Sequence, residues 1–181
     1  LEKEYPYLTQ VAFNSEIRLF MRQVYTQFFS GLPGLRSSSK SQIDLLEQAC
    51  VKWPFENCYA LCPLPSWQAD HTGEELWFRK YTWPEQLNEI KRLQRKFPGV
   101  TVRLANLPEL IYLDFCMRLA VGESPFGIFS YRCEHPTDDK KCLAYGHVGD
   151  YGGEIEIDKK PESEYPPVMP LFFLRAKPDK K

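Results

Sequence analysis

The chain has 181 residues, of which 43% are hydrophobic and 26% are charged, and its formal net charge is -1 at pH 7. These values are typical of one globular domain over residues 1–181, large enough to bury a core without disulfides or metals. They exclude the basic excess of a non-specific nucleic-acid binder. No apolar run approaches the roughly 20 residues of a membrane span, so we expect no membrane-spanning segment.

Two amphipathic helices are predicted in the N-terminal third. Apolar residues recur at helical spacing from about Asn14 to Ser30 and again from about Lys40 to Trp53. Pro54 stops the second helix. The short intervening loop predicts a helical hairpin over residues 14–53.

Residues 56–133 alternate between predicted strands and helices. The strands are Cys58–Cys62, Leu76–Tyr81, Val100–Leu104 and Phe126–Cys133. Two helices begin with capping boxes, one pairing Thr82 with Glu85 and one pairing Asn106 with Glu109, and Gly122 ends the second. Strands that alternate with helices of this length favour parallel pairing, so the pattern predicts a parallel βαβαβ unit.

The last third reads as strands without helices between them. The predicted strands within residues 141–176 are Lys141–Val148, Glu154–Lys159 and Leu171–Ala176, and residues 177–181 form a charged, frayed tail. The predicted fold is therefore α/β. A helical hairpin precedes a mixed sheet, in which antiparallel C-terminal strands extend the parallel unit.

The cysteines indicate a reducing environment. The chain has six, and four of them lie among apolar residues, as free buried cysteines usually do. Disulfides persist in secreted proteins, but no Asn-x-Ser/Thr glycosylation site occurs. We expect an intracellular, reducing location.

One cluster has the residue types of a zinc site. Cys133, His135, Cys142 and His147 offer two thiols and two imidazoles, enough for a tetrahedral site. Their Cys-x-His and Cys-x4-His spacings match no common zinc motif. We therefore expect no bound metal and no other cofactor.

The same region holds the residues that could act as an acid–base pair. His147 and Asp150 flank glycines, and a histidine oriented by a carboxylate can serve as a general base. No nucleophile motif such as GxSxG accompanies them. We therefore assign no catalytic residue, and His147 and Asp150 are the pair that an enzyme would use.

Aromatic residues make up 14% of the chain and suggest a binding surface. The predicted surface consists of Trp67, Trp77, Arg79, Tyr81 and Trp83. Packing of these rings in the domain's own core is the competing interpretation. The leading functional hypothesis is a non-enzymatic protein-interaction domain, such as an accessory subunit or assembly factor of a larger complex. The alternatives are a hydrolase-like or zinc-dependent enzyme using the Cys133–Asp150 region, and an RNA-binding module.

Overall fold

The structure is a computed structural model that describes residues 8–28, 40–63, 81–122, 124, 126, 130–138, 140–148, 151–158, 162 and 166–174. The helices are α1 (Ile17–Gln23), α2 (Lys40–Lys52), α3 (Trp83–Lys96) and α4 (Leu107–Val121). The strands are β1 (Leu8–Phe13), β2 (Cys58–Pro63), β3 (Val100–Leu104), β4 (Ser130–Glu134), β5 (Cys142–Val148), β6 (Tyr151–Asp158) and β7 (Pro170–Leu174). None of the helices in the described ranges is long and apolar enough to span a membrane.

The described strands form two sheets. The first has the order β1-β2-β7-β3, and every neighbouring pair in it is antiparallel. The second has the order β4-β5-β6 and is also antiparallel. The amide of Arg132 in β4 donates to the Pro167 carbonyl at 2.7 Å, so the segment leading into β7 connects the two sheets.

Two main apolar clusters hold these layers together. In the larger one, α4 packs against the second sheet and against one face of the first, through residues that include Leu110, Ile111, Tyr131 and Leu171. In the smaller one, α3 covers the other face of the first sheet through residues that include Ile90, Leu93, Val102 and Phe172. The first sheet is therefore covered by apolar packing on both faces, and among the described strands β1 and β3 lie at its edges.

Helices α3 and α4 begin as the capping patterns predict. The amide and hydroxyl of Thr82 donate to the Glu85 carboxylate at 2.8 and 2.7 Å. Asn106 accepts from the Glu109 amide, and the Glu109 carboxylate accepts from the Asn106 amide, each at 3.0 Å. Gly122 ends α4 with φ 81°, a left-handed conformation that glycine adopts without strain.

The predicted parallel βαβαβ unit is wrong. Strands β3 and β4 belong to different sheets, and β3 pairs antiparallel with β7 instead. The predicted strand Leu76–Tyr81 lies outside the described residues except for Tyr81, which occupies a bend. Nor do the C-terminal strands extend a parallel unit, because β5 and β6 complete the second sheet while β7 inserts between β2 and β3.

The predicted helical hairpin over residues 14–53 is also wrong. The N-terminal segment first forms β1, which pairs with β2, and α1 has only seven residues before a π-helical turn at Val24–Phe28. Phe20, expected in the buried stripe of a long helix, is 55% exposed. Because β1 pairs with β2, residues 8–13 form a strand at one edge of the sheet. Helical periodicity depends on local spacing and gives no information about such long-range pairing.

Candidate functional site

A groove of about 850 Å³ runs along β3 at the edge of the first sheet. Arg103 and Phe173 line it on one face of the sheet, and Leu104 and Leu87 line it on the other. Successive residues of a strand point to opposite faces. Because Ala105 and Asn106 also line the groove, it passes from one face of β3 to the other at the Leu104 end of the strand.

The hydrogen-bonding pattern shows which backbone groups of β3 face this groove. Among the described strands, β3 pairs only with β7. The Ala105 amide donates to the Met169 carbonyl at 2.8 Å, and Leu104 lies opposite Pro170, which has no amide hydrogen. Because hydrogen-bonded and non-hydrogen-bonded pairs alternate in an antiparallel ladder, the backbone groups of Val102 and Leu104 point away from β7.

The side chain of Gln94 covers the first half of this edge. Its amide nitrogen donates to the Val100 carbonyl at 2.8 Å, and its amide oxygen accepts from the Val102 amide at 2.8 Å. Gln94 thus substitutes for a neighbouring strand over these two residues.

The second half of the edge is open. The Leu104 carbonyl accepts from an Arg103 guanidinium nitrogen at 3.0 Å. No hydrogen bond from a described residue reaches the Val102 carbonyl or the Leu104 amide. Both groups therefore lack a hydrogen-bond partner in the described part of the chain, and of these two residues Leu104 lines the groove.

An ion pair forms the floor of the groove on the Arg103 side. The guanidinium binds the Glu109 carboxylate at 2.7 and 2.5 Å and lies 4.4 Å from the centre of the Phe173 ring. Burial alone would lower the pKa of Arg103, but the Glu109 hydrogen bonds and charge outweigh it and the pKa is raised. Glu56 also lines the groove and acts on Arg103 through its charge, so this side carries one more carboxylate than the Arg103–Glu109 pair.

A stripe of three residues on α3 forms the opposite wall. Trp83, Leu87 and Lys91 are four residues apart and so lie along one side of the helix. Trp83 is 6% exposed, whereas Leu87 is 36% exposed. Lys91 is exposed and forms no ion pair within the described part of the chain. This wall combines an apolar surface with a positive charge that has no ion pair among the described residues.

The thiol in the groove is not an activated nucleophile. Burial, followed by the negative charge of Glu109, raises the pKa of Cys58 above its ordinary value. A cysteine nucleophile needs the opposite shift, because the thiolate is the reactive form. This shift argues against covalent chemistry at Cys58.

The two cysteines of the predicted Cys/His cluster are not brought together. Cys133 lies opposite Leu143 and packs in the larger core, whereas Cys142 lies opposite Glu134 and packs with Trp83 and Val168. The two thiols therefore point to opposite faces of the sheet. His135 is buried, and its Nδ1 accepts from the Thr137 amide at 3.2 Å. Within the described ranges, no three His, Cys, Asp or Glu side chains are placed to hold a metal.

The other predicted site residues are only partly described. The His147 side chain and all of Asp150 lie outside the described residues, as do Trp67, Trp77 and Arg79. Tyr81 is 41% exposed just before α3, and Trp83 packs with Cys142 and Val168 at one end of the groove. The acid–base pair and the aromatic surface remain predictions.

Sequence reasoning missed the open edge of β3. Leu87 is one of the apolar positions at helical spacing in α3, and that spacing does not show that it is exposed. Gln94 gives no sequence signal, because its partners depend on which side of β3 is left unpaired. Glu109 was recognised only as a helix cap, although it also binds Arg103. The spacing of Trp83, Leu87 and Lys91 was visible, but their exposure was not.

No protein-family model matches the sequence, and neither a curated protein nor a solved structure is significantly similar to it. The groove and the open edge of β3 are therefore the basis for a functional assignment.

Proposed function

We propose that this chain is a non-enzymatic protein-interaction domain, an accessory subunit or assembly factor, that binds an extended segment of a partner along β3. The observation that carries this proposal is the open edge inside the groove. The Leu104 amide points away from β7, belongs to a residue that lines a volume of about 850 Å³, and has no hydrogen-bond partner among the described residues.

Strand addition is a common way to bind peptides at such an edge. Main-chain hydrogen bonds supply affinity, and side-chain pockets supply specificity. Proteins usually protect their edge strands against accidental pairing. Here Gln94 protects only the Val100–Val102 half, and the half beside Leu104 opens into the groove.

The state of the cysteines supports a reducing, intracellular location for this interaction. All six are free thiols, and four of them are buried. Burial raises the pKa of both Cys62 and Cys133 above the ordinary value of 9.0, as expected for structural rather than reactive thiols.

Two substitutions at one position test the proposal. Leu104→Pro removes the outward-facing amide hydrogen while sparing the ladder with β7, a position at which an edge strand tolerates proline. Leu104→Ala shortens the same side chain but keeps the amide, so it is the matched control. Both variants would be compared with the unaltered chain in affinity capture with quantitative mass spectrometry, after circular dichroism has established that they fold.

The expected result is a stoichiometric partner that Leu104→Ala retains and Leu104→Pro loses. Hydrogen exchange on the captured complex should also show the Leu104 amide protected. A partner retained equally by both folded variants, with the Leu104 amide still exchanging freely, would refute binding at this edge.

A further inference from the structure

Two ion pairs neutralise most of the charge that lines the groove. Lys52 Nζ lies 2.7 Å from Glu134 Oε1, and Arg103 binds the Glu109 carboxylate through both of its terminal guanidinium nitrogens. Lys52 Nζ also lies 4.7 Å from the centre of the Trp53 ring. Because each pair is satisfied internally, neither can recognise a charged partner without giving up a hydrogen bond.

Glu56 and Lys91 are the other two charged residues that line the groove. Both are exposed, and neither has an ion pair among the described residues. The residues three or four positions from Lys91 on α3, its neighbours on the helix surface, include no acid. They are Leu87, Asn88, Gln94 and Arg95. The charge that the groove offers to a partner is therefore one carboxylate and one ammonium group.

These two charges lie on opposite sides of the first sheet. The charge of Glu56 acts on Cys58 and Arg103, which the strand alternation places on the α4 face. Lys91 belongs to α3, which covers the other face. The groove passes between the two faces at the Leu104 end of β3. A segment that follows the groove therefore meets the carboxylate on one side and the ammonium group on the other.

The groove also offers apolar surface and one main-chain donor. Phe173 lines it on the α4 face, and Leu87, which is 36% exposed, lines it on the α3 face. The Leu104 amide points away from β7 and has no hydrogen-bond partner among the described residues. Gln94 fills the edge beside Val102, so a bound segment makes its main-chain hydrogen bond at Leu104 and not farther along the strand.

The direction of α3 determines the order of these contacts. Trp83 at its start packs near Leu104, and its C-terminal half packs toward the start of β3. Beyond Trp83, the groove-lining stripe reaches Leu87 first and Lys91 about one turn later. A segment that enters from the Glu56 side therefore meets apolar surface before it reaches the ammonium group.

We infer that the groove binds a bipolar segment, in which a basic and an acidic side chain flank an apolar residue, and this inference rests on the proposed function. The basic side chain pairs with Glu56, the apolar side chain covers Leu87, and the acidic side chain pairs with Lys91. A carbonyl of the same segment accepts from the Leu104 amide. A segment with two like charges gains an attraction on one side of the groove and suffers a repulsion on the other.

The test is a selection from a phage-displayed library of random nonapeptides on the full chain. It is repeated on Lys91→Glu and Glu56→Lys, each of which reverses one of the two charges. Lys40→Glu and Asp44→Lys, at exposed positions of α2 outside the groove lining, are the matched controls. Circular dichroism establishes that the variants fold. Titrations with synthetic peptides of the enriched sequences give dissociation constants, and hydrogen exchange reports protection of the Leu104 amide.

Peptides enriched on the unaltered chain should carry one basic and one acidic residue at a constant spacing and should protect the Leu104 amide. Reversing either peptide charge should weaken binding about two- to fivefold, as for exposed ion pairs. Lys91→Glu should select a basic residue where the unaltered chain selects the acid, and Glu56→Lys should select an acid where it selects the base. Both control variants should enrich the same sequences as the unaltered chain.

The outcomes separate this inference from the proposed function. Peptides that protect the Leu104 amide but lack the paired charges, or whose charge preference is the same on every variant, would overturn the bipolar segment while binding along β3 stands. Enriched peptides that leave the Leu104 amide exchanging freely would overturn both proposals, because they bind elsewhere on the chain. Enrichment of no sequence above an empty support would also overturn both.

Discussion

Replacing Gln94 with methionine should destabilise the protein, because it removes the amide group that hydrogen-bonds to the β3 backbone in place of a neighbouring strand. The two hydrogen bonds from the Gln94 amide to β3 are each 2.8 Å long. A net contribution of about 0.5–1.5 kcal/mol for each bond gives an expected loss of about 2 kcal/mol. Methionine keeps the length and helix propensity of glutamine, so the change isolates the lost amide.

Urea denaturation gives the loss of stability, and thermal unfolding should show a melting temperature lower by roughly 4–8 °C for a chain of this length. Gln48→Met, at an exposed position of α2, is the matched control and should change stability by less than about 0.5 kcal/mol. Amide exchange locates the effect. The Val102 amide should lose protection in Gln94→Met, whereas the Arg103 amide, which bonds to β7, should keep it.

A second variant, Gln94→Glu, tests the donor half of the interaction. Its carboxylate can still accept from the Val102 amide but would face the Val100 carbonyl, an arrangement that favours the protonated acid in the folded state. The pKa of the introduced acid should therefore be raised above the ordinary value of about 4.3. The variant should be less stable than the unaltered chain at neutral pH, and this difference in the free energy of unfolding should shrink as the pH falls toward about 4. A loss below about 0.5 kcal/mol in Gln94→Met, with Val102 exchange unchanged, would refute the assignment of Gln94 as an edge cap.

Three further perturbations test other parts of the structure. Asp114→Asn should cost about 3–5 kcal/mol in urea denaturation, because this fully buried carboxylate accepts from an arginine and a tyrosine, and a loss below about 1 kcal/mol would contradict its role. Thr82→Ala should cost about 1 kcal/mol at neutral pH. The Thr82 amide, followed by the Thr82 hydroxyl, holds the pKa of Glu85 below its ordinary value of 4.5, and the substitution removes only the hydroxyl. The difference in stability between the variant and the unaltered chain should therefore shrink as the pH falls through the lower, folded-state value, and a pH-independent difference would contradict it. Thiol labelling of the native protein should modify Cys58 and Cys116 slowly and the four buried cysteines only after unfolding, and rapid modification of more than two thiols would refute this packing.

Local signals in the sequence determined several elements. Helices α3 and α4 begin at Thr82 and Asn106 as their capping boxes predict, and Gly122 ends the second one. The bounds Val100–Leu104 of β3 were also predicted correctly. These features depend on hydrogen bonds and backbone preferences within a few residues of the chain, so the sequence pattern contains the information that specifies them.

Tertiary structure decided which strands pair and where the groove lies. Strand β7 inserts between β2 and β3 from far along the chain, and β4 joins a separate sheet, so alternation of strands and helices did not imply parallel pairing. The partners of Gln94 are only six and eight residues away, yet their role emerges only once β7 has taken the other side of β3. The alternation of residue types specifies which side chains lie on each face of a strand. Which edge of the strand stays unpaired depends on the segments that pair with it, and packing across the whole domain determines that pairing.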